Sequence, residues 1–252
     1  ELTLYATAYE SDSTSNSMAG GTVLNAAGEI DAQNFATENT LYEVGVKYAP
    51  DGARWYADAV LFDQKRSLRN RDGSNSGIRT EGLETQWHYA SETGYWVTLA
   101  ASYIDARWDN SAASQGTQQV ADAFDNSRPD IIEGTGLGSP NFTLFAASNQ
   151  QLQGIPEVQA SIVAGWSITD KWSVGGDLSY TKHYPLDYLQ TVFIRDQHTL
   201  NLNTRYRFSQ QLNMRLDVFN ATDQDNWSPV FEGGYFGSTL AFPSQPAHAR
   251  LS

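Results

Sequence analysis

The side chains most able to do chemistry in this sequence are four histidines. His88, His183, His198 and His248 are scattered, and no two have the spacing of metal ligands, although His183 and His198 flank one loop. A hydrolytic site would need a histidine beside a serine and a carboxylate, an arrangement that spacing alone does not establish. The histidines therefore predict neither a metal site nor a catalytic residue.

Two loop motifs resemble ligand sites but lack part of the pattern. "DQDN" (residues 223–226) offers oxygen ligands, yet it lacks the spaced glycine and terminal glutamate of a calcium loop, and turn chemistry explains its Asn and Asp. "GTGLGS" (134–139) has no preceding strand, no following helix and no lysine, which predicts a loop tip and not a phosphate cradle. The sequence thus predicts no metal site and no cofactor.

Aromatic side chains concentrate in three long polar loops. Rings with a few polar groups suit a flat, iron-bearing or catechol-like ligand, through stacking and hydrogen bonds. The alternative is that the rings pack the loops against each other. The candidate ligand-binding residues are Trp108, Arg128, Phe142, Tyr184, Trp227, Phe231, Tyr235 and Phe236.

The elements that must position these loops are β-strands. In "TLNLNTRYRFSQQLNMRLDVF" (199–219), nonpolar and polar residues alternate, which is the period of a strand with one nonpolar face. The same reading along the chain predicts ten strands. They cover residues 2–10, 40–49, 54–66, 78–90, 95–107, 157–168, 172–182, 191–208, 212–220 and 239–252.

The connections between these strands alternate in length. "APDGA" (49–53), "SETG" (91–94), "TDK" (169–171) and "SQQ" (209–211) are tight turns, and the other connections are long and rich in Ser, Asn, Gly and Asp. In an up-and-down meander, every second connection lies at the same end of the sheet. Outer-membrane barrels have this asymmetry, with short periplasmic turns and longer extracellular loops.

Composition removes several other classes of protein. No run approaches the roughly 20 nonpolar residues of a spanning helix, and the mean hydropathy is -0.47, which excludes an α-helical membrane protein. A net charge of -13 argues against nucleic acid as a partner, and the absence of cysteine excludes a disulfide scaffold. The first residues contain no targeting segment, because a charged region followed by a nonpolar run is missing there.

Tryptophan and tyrosine gather near both ends of the predicted strands, as in the interfacial girdles of membrane barrels. We therefore expect the nonpolar side to face lipid of the bacterial outer membrane. The polar side, with Arg205, Arg215 and Glu84, would face a lumen. The predicted fold is all-β: a transmembrane, antiparallel, up-and-down β-barrel.

Ten strands in a bilayer must either close on themselves or pair with others, because open edges would leave backbone groups without partners. "TLYEVGVKYAPDGARWYADAVLFDQKRS" (40–67), "IRTEGLETQWHYASETGYWVTLAASYIDARW" (78–108) and above all "LNMRLDVFNATDQDNW" (212–227) resemble the closing segments of TonB-dependent outer-membrane receptors. "FPSQPAHARLS" (242–252) is similar to the lead into their last strand.

This resemblance implies that residues 1–252 are the C-terminal part of a barrel of about 22 strands. It implies an N-terminal plug and further barrel strands outside this chain, and a terminal strand cut short after Ser252. It implies import of a scarce nutrient, most often a ferric siderophore, with energy from the TonB complex and with no catalytic residue. The alternatives are a complete ten-stranded outer-membrane enzyme with a protease-like site at its rim, a passive porin, or a soluble all-β binding module.

Overall fold

The computed structural model describes residues 1–14, 36–69, 75–109, 115–120, 141–146, 149–186, 193–231 and 240–252. Among these residues no helix is long and nonpolar enough to cross a bilayer. The strands are β1 (Leu2–Thr14), β2 (Ala36–Tyr48), β3 (Trp55–Arg69), β4 (Asn75–Ala90), β5 (Tyr95–Asp109), β6 (Gln115–Val120), β7 (Asn141–Ala146), β8 (Val158–Ser167), β9 (Trp172–Thr181), β10 (Tyr184–Pro185), β11 (Phe193–Ile194), β12 (Gln197–Arg207), β13 (Asn213–Phe219), β14 (Trp227–Phe231), β15 (Leu240–Pro243) and β16 (His248–Leu251).

Ten of these strands form one antiparallel sheet in the order β1, β2, β3, β4, β5, β8, β9, β12, β13, β16. Each strand of the sheet pairs with the next one along the chain, so the up-and-down meander of ten strands is confirmed. In the part of the chain that the structure describes, β1 and β16 are edges that do not pair with each other. The sheet is therefore a partial barrel.

The structure corrects the predicted strands in two places. The hairpin of β6 with β7 lies in a connection that was predicted as a loop, and β10 and β14 also lie in predicted loops, whereas their partners β11 and β15 lie within the predicted strands 191–208 and 239–252. The predicted strand 239–252 is divided, because Pro243 ends β15 and Pro246 precedes β16, and proline cannot donate to a ladder. The predicted strand 191–208 is likewise interrupted, with Arg195 and Asp196 between β11 and β12.

The four short turns follow from their residue types. The serine or threonine that opens three of them accepts a backbone N–H: Ser91 from Thr93 at 3.1 Å, Thr169 from Trp172 at 3.0 Å, and Ser209 from Leu212 at 3.0 Å. Gly94 has a φ of 82°, which a residue with a Cβ rarely adopts. These turns give the sheet one trimmed end, which we call the short-turn end; the opposite end is the long-loop end.

One face of the sheet is nonpolar and exposed. Register places Val44, Leu61, Leu83 and Tyr103 side by side across β2 to β5. Leu61 is 56% exposed and Leu4 is 74% exposed, far more than large nonpolar side chains show in a soluble core. Such a continuous nonpolar surface is expected where the solvent is lipid, and we call it the outer face.

Aromatic rings mark both borders of the outer face. Trp55, Tyr89, Tyr95, Trp166 and Trp172 lie towards the short-turn end, and Tyr42, Tyr103 and Tyr180 lie towards the long-loop end. Trp96 belongs to the opposite face, because it alternates in β5 with the outer-face residues Tyr95 and Val97 and its ring centroid is 6.4 Å from that of His88. Two girdles therefore bound a nonpolar band.

Candidate functional site

The inner face of the sheet is polar and carries charges of both signs, with Lys47 opposite Asp58 in the ladder and Asp217 opposite Arg250. Glu43, Asp58 and Glu84 lie on β2, β3 and β4, whereas Arg205, Arg215 and Arg250 lie on β12, β13 and β16. Alternation with the nonpolar outer face fixes the side to which these residues belong. One part of the lumenal wall is thus acidic and another is basic.

A groove of about 480 Å³ lies on the acidic part of the inner face. Its floor consists of small residues, including Ala100, Ser102 and Ser161, and Asp58 and Glu84 lie along its edge. Small side chains leave space above the backbone, and the carboxylates and hydroxyls can accept hydrogen bonds. The groove suits a polar chain or ligand that presents N–H or O–H donors.

The basic part of the inner face is organised around Asp217. Arg215 donates to Oδ1 of Asp217 from Nε at 2.8 Å and Nη2 at 2.7 Å, and Arg250 reaches Oδ2 at 3.4 Å. Arg205 lies directly opposite Arg215 in the ladder. One carboxylate therefore serves two arginines beside a third, which leaves a positive surface on the inner wall.

A compact turn after β13 anchors the loop that follows it. Asn220 is buried, adopts a φ of 47°, and donates from its amide to the carbonyls of Gln224 at 2.9 Å and Gln245 at 3.1 Å. Its Oδ1 accepts the N–H of Gln224 at 2.9 Å. Asn226, also buried, donates to the carbonyl of His198 at 2.8 Å. The turn therefore fixes the start of the loop to β12 and to the segment before β16.

A second clamp closes the base of the loop between β9 and β12. Asp196 accepts the backbone N–H of His183 at 2.7 Å and contacts its ring Nδ1 at 3.1 Å, and the Tyr180 hydroxyl donates to Asp196 at 3.1 Å. The hydrogen bonds from His183, its backbone N–H first, lower the pKa of the Asp196 carboxyl below its ordinary value. The carboxylate is thus held in its charged form at the loop base.

Three of the predicted ligand-binding residues have described side chains. Trp108 and Tyr184 are 7% and 6% exposed, and Tyr184 packs with Leu186 and Ile194 in a small core at the long-loop end. Trp227 is 40% exposed at the start of β14. Of these three, the Trp227 ring is the one that a ligand can reach in this conformation.

The remaining predicted residues cannot be placed by their side chains. Phe142 lies in β7 and Phe231 is the last residue of β14, and at these two positions the structure describes the backbone alone. Arg128, Tyr235 and Phe236 lie outside the described residues. Among the described residues, no group of three His, Asp or Glu side chains is arranged to hold a metal ion. The sequence analysis missed the two anchoring amides, Asn220 and Asn226, although both lie in the segment "LNMRLDVFNATDQDNW" (212–227) that carries the resemblance to the family.

The sheet is an up-and-down meander with a nonpolar outer face, a polar inner face and long loops anchored at one end. These features together are typical of an outer-membrane β-barrel. The chain belongs to the TonB-dependent receptors: residues 1–221 match the family described as TonB dependent receptor-like, beta-barrel. Barrels of this family are outer-membrane proteins of Gram-negative bacteria, and the family consists of transporters and receptors, not of enzymes. The resemblance inferred from the sequence is therefore confirmed.

Solved structures with the same fold are siderophore receptors. The siderophore receptor PiuA from Acinetobacter baumannii has a TM-score of 0.71 at 13% identity, covering 99% of this chain and 33% of its own. The ferric-catecholate import receptor Fiu from E. coli K12 has a TM-score of 0.67 at 18% identity, and the match covers 99% of this chain and 32% of Fiu. The ferripyoverdine receptor of Pseudomonas aeruginosa has a TM-score of 0.66 at 15% identity, and the match covers 99% of this chain and 30% of that receptor.

The chain thus spans about a third of the length of these receptors. At such low identity the likeness shows the fold alone. A search of curated proteins found no match to this sequence.

Proposed function

We propose that this chain is the C-terminal part of the barrel of a TonB-dependent transporter that imports a ferric siderophore across the outer membrane. The observation that carries the proposal is the alignment of 99% of the chain with a siderophore receptor at a TM-score of 0.71. The complete barrel would have about 22 strands around an N-terminal plug. Energy for release of the plug would come from the TonB complex.

In this proposal the chain supplies wall and recognition loops. The inner face carries carboxylates on β2 to β4 and arginines on β12 to β16, which suits a plug with complementary charge, because surface charges that meet across an interface fix its register. The similar structures include a ferric-catecholate import receptor and a ferripyoverdine receptor. Their ligands share a chelated iron, so the proposal is for this ligand class and not for one chelate.

The ligand would meet the long-loop end first. Trp227 has an accessible ring on an anchored loop base, and the sequence adds Phe142, Phe231, Tyr235 and Phe236 in the long loops. Aromatic faces stack on a flat chelate, and an arginine such as Arg128 would pair with its negative charge. We propose these side chains, together with Trp108 and Tyr184 beneath them, as the recognition region.

Uptake of radioactive iron tests the function. The full-length receptor is expressed in a strain that lacks its own siderophore receptors, and is offered ferric catecholate, ferripyoverdine and ferric citrate in turn. We expect uptake of at least one chelate, and its loss when TonB is deleted. Uptake that persists without TonB would indicate a passive porin, and no binding or uptake of any iron chelate would contradict the ligand class.

A matched pair of variants tests the recognition region. Trp227→Ala and Trp172→Ala remove rings of similar exposure, 40% and 42%, but Trp172 lies on the outer face at the short-turn end. Loss of a stacked ring should weaken chelate binding about two- to tenfold for Trp227→Ala and leave it unchanged for Trp172→Ala. Equal affinities of the two variants would remove Trp227 from the ligand site.

A further inference from the structure

Four arginines follow one another along the inner face of β12, β13 and β16. The register places them on three successive levels of the sheet: Arg250 opposite Asp217, then Arg205 opposite Arg215, then Arg207 one step further. Levels that are two residues apart are separated by about 7 Å along a strand. We call these four residues the arginine track, which runs down the wall to the short-turn end.

The carboxylates around the track neutralise only part of its charge. The Asp217 side chain is 5% exposed, whereas those of Arg215 and Arg250, which bind it, are 50% and 66% exposed. Asp177, the inner-face carboxylate of β9, accepts a hydrogen bond from an asparagine amide at 2.8 Å. Among the residues that the structure describes, Arg205 forms no ion pair with a carboxylate. The track therefore presents exposed guanidinium groups to the lumen.

Arg205 and Arg215 face each other directly in the ladder, and like charges in this arrangement destabilise a sheet. Arg215 is held by Asp217, but no described carboxylate offsets the charge of Arg205. The stability of the sheet thus does not account for the pair. A concave wall that carries one sign of charge concentrates ions of the opposite sign, so the pair suits an anion in the lumen.

The track ends in a hollow of about 190 Å³ at the short-turn end. Three cations, Lys171, Arg205 and Arg207, and one carboxylate, Asp170, are among its lining residues, together with serine and threonine. Arg207 is fixed there by a hydrogen bond from Nη2 to the Asp170 carbonyl at 2.7 Å. Guanidinium and hydroxyl groups can donate to the oxygen atoms of an anion. The hollow has room for one carboxylate or catecholate group.

We propose that the arginine track binds the anionic iron chelate inside the lumen once the plug has moved, and that the chelate leaves along β12, β13 and β16 towards the short-turn end. This inference rests on the proposed import function. Catecholate and citrate complexes of Fe³⁺ are anions, because the chelating groups bring more negative charge than the metal neutralises. Glu43, Asp58 and Glu84 repel the same chelate from β2 to β4. Passage therefore follows one side of the wall.

Photochemical trapping during import tests the track in the full-length receptor. Ser173 lies opposite Arg205 and Ser102 lies opposite Glu84, and both serines belong to the inner face. The matched variants are Ser173→p-benzoylphenylalanine and Ser102→p-benzoylphenylalanine. The probe is ferric citrate or ferric 2,3-dihydroxybenzoate, whichever the unmodified receptor imports, with carbon-14 in the chelator. Irradiation during uptake should label the Ser173 variant severalfold more than the Ser102 variant, and only in cells that have TonB.

Charge variants of the Ser173 photoreactive receptor separate anion binding from a structural role. Arg205→Gln removes a track cation, and Lys47→Gln removes an inner-face cation from the acidic part as its control. Labelling should fall about two- to fivefold with Arg205→Gln, from the strength of an exposed ion pair, and should be kept with Arg205→Lys and with Lys47→Gln. The amount of assembled receptor and the affinity of cells without TonB for the chelate should not change, because recognition occurs at the long-loop end.

Equal labelling of the two serine variants, or labelling that is unchanged by Arg205→Gln, would overturn the track even though import continued. If the Ser173 variant does not import, Asn203→p-benzoylphenylalanine, one level up beside Asp217, takes its place with the same expected result. Import of ferripyoverdine but of neither anionic probe would also overturn the track and leave the import function standing. An unmodified receptor that imports no iron chelate would instead contradict the proposed function.

Discussion

Replacing Leu202 by arginine tests which solvent the outer face meets. Leu202 is the sixth of eleven residues in β12, so about four residues separate it from each girdle, and at about 3.3 Å per residue and a tilt near 40° it lies about 10 Å from either border. An arginine at such a midplane position costs about 2–4 kcal/mol. That cost corresponds to a factor of about 30–900 in the folding equilibrium.

Asn203→Arg is the matched control, because Asn203 is the next residue of the same strand and belongs to the inner face. It lies opposite Asp217 in the ladder, so an arginine there gains a carboxylate neighbour and stays in an aqueous or protein-filled lumen. We expect a change within about 0.5 kcal/mol, as for most surface substitutions.

The measurement is unfolding of the full-length barrel by guanidinium in phospholipid vesicles, followed by tryptophan fluorescence, with the amount assembled in the outer membrane as a second readout. The free energy of unfolding should fall for Leu202→Arg alone. Equal costs at Leu202 and Asn203 would refute the division of the sheet into a lipid face and a lumenal face.

Three further perturbations probe other features. Asn220→Ala removes three hydrogen bonds and leaves a less tolerant residue at positive φ, so chemical denaturation should show a free energy of unfolding about 2–4 kcal/mol lower. Asn220→Gly also lacks the hydrogen bonds but has no Cβ, so it should recover only the part of this loss that comes from backbone strain. Gly82→Ala would bring a methyl within 2.7 Å of the Tyr103 carbonyl oxygen, and overpacking of this kind costs about 1–3 kcal/mol in the same assay. The lowered pKa of Asp196 stabilises the folded loop base above the ordinary aspartate pKa, and this contribution is lost as pH falls through the folded value. The protection factor of the His183 N–H, which compares its exchange rate with that of an unstructured peptide at the same pH, should therefore be similar at pH 7 and 5 and fall below about pH 3.8, whereas a protection factor that is unchanged at pH 2.5 would contradict the role of the clamp.

Much of the sheet could be read from the sequence because alternation is a local property. Leu200 and Leu202 alternate with Asn201 and Asn203, and this period alone assigns each to a face. Three of the short turns could be predicted equally well, because Ser91, Thr169 and Ser209 carry the hydroxyl that accepts a backbone N–H within the turn.

Contacts between distant segments could not be read in the same way. Arg250 reaches Asp217 because β16 pairs with β13 in the large sheet, whereas β15 pairs with β14 in a separate one, and the sequence predicted one continuous strand there. Burial of Trp108 and Tyr184 likewise depends on how the segment 149–156 and the β10–β11 hairpin fold over the strand ends. These are tertiary effects, which a pattern of period two does not encode.

The three loop hairpins, β6 with β7, β10 with β11, and β14 with β15, each form a separate two-stranded sheet. In the described part of the chain, none of these hairpins pairs with a strand of the ten-stranded sheet, so the hydrogen bonds of the wall do not depend on the sequences of the hairpins. Insertions or exchanges there alter what the cell surface displays without shifting a single strand pairing. Such a division lets the exposed hairpins vary in sequence while the wall keeps its strand pairing.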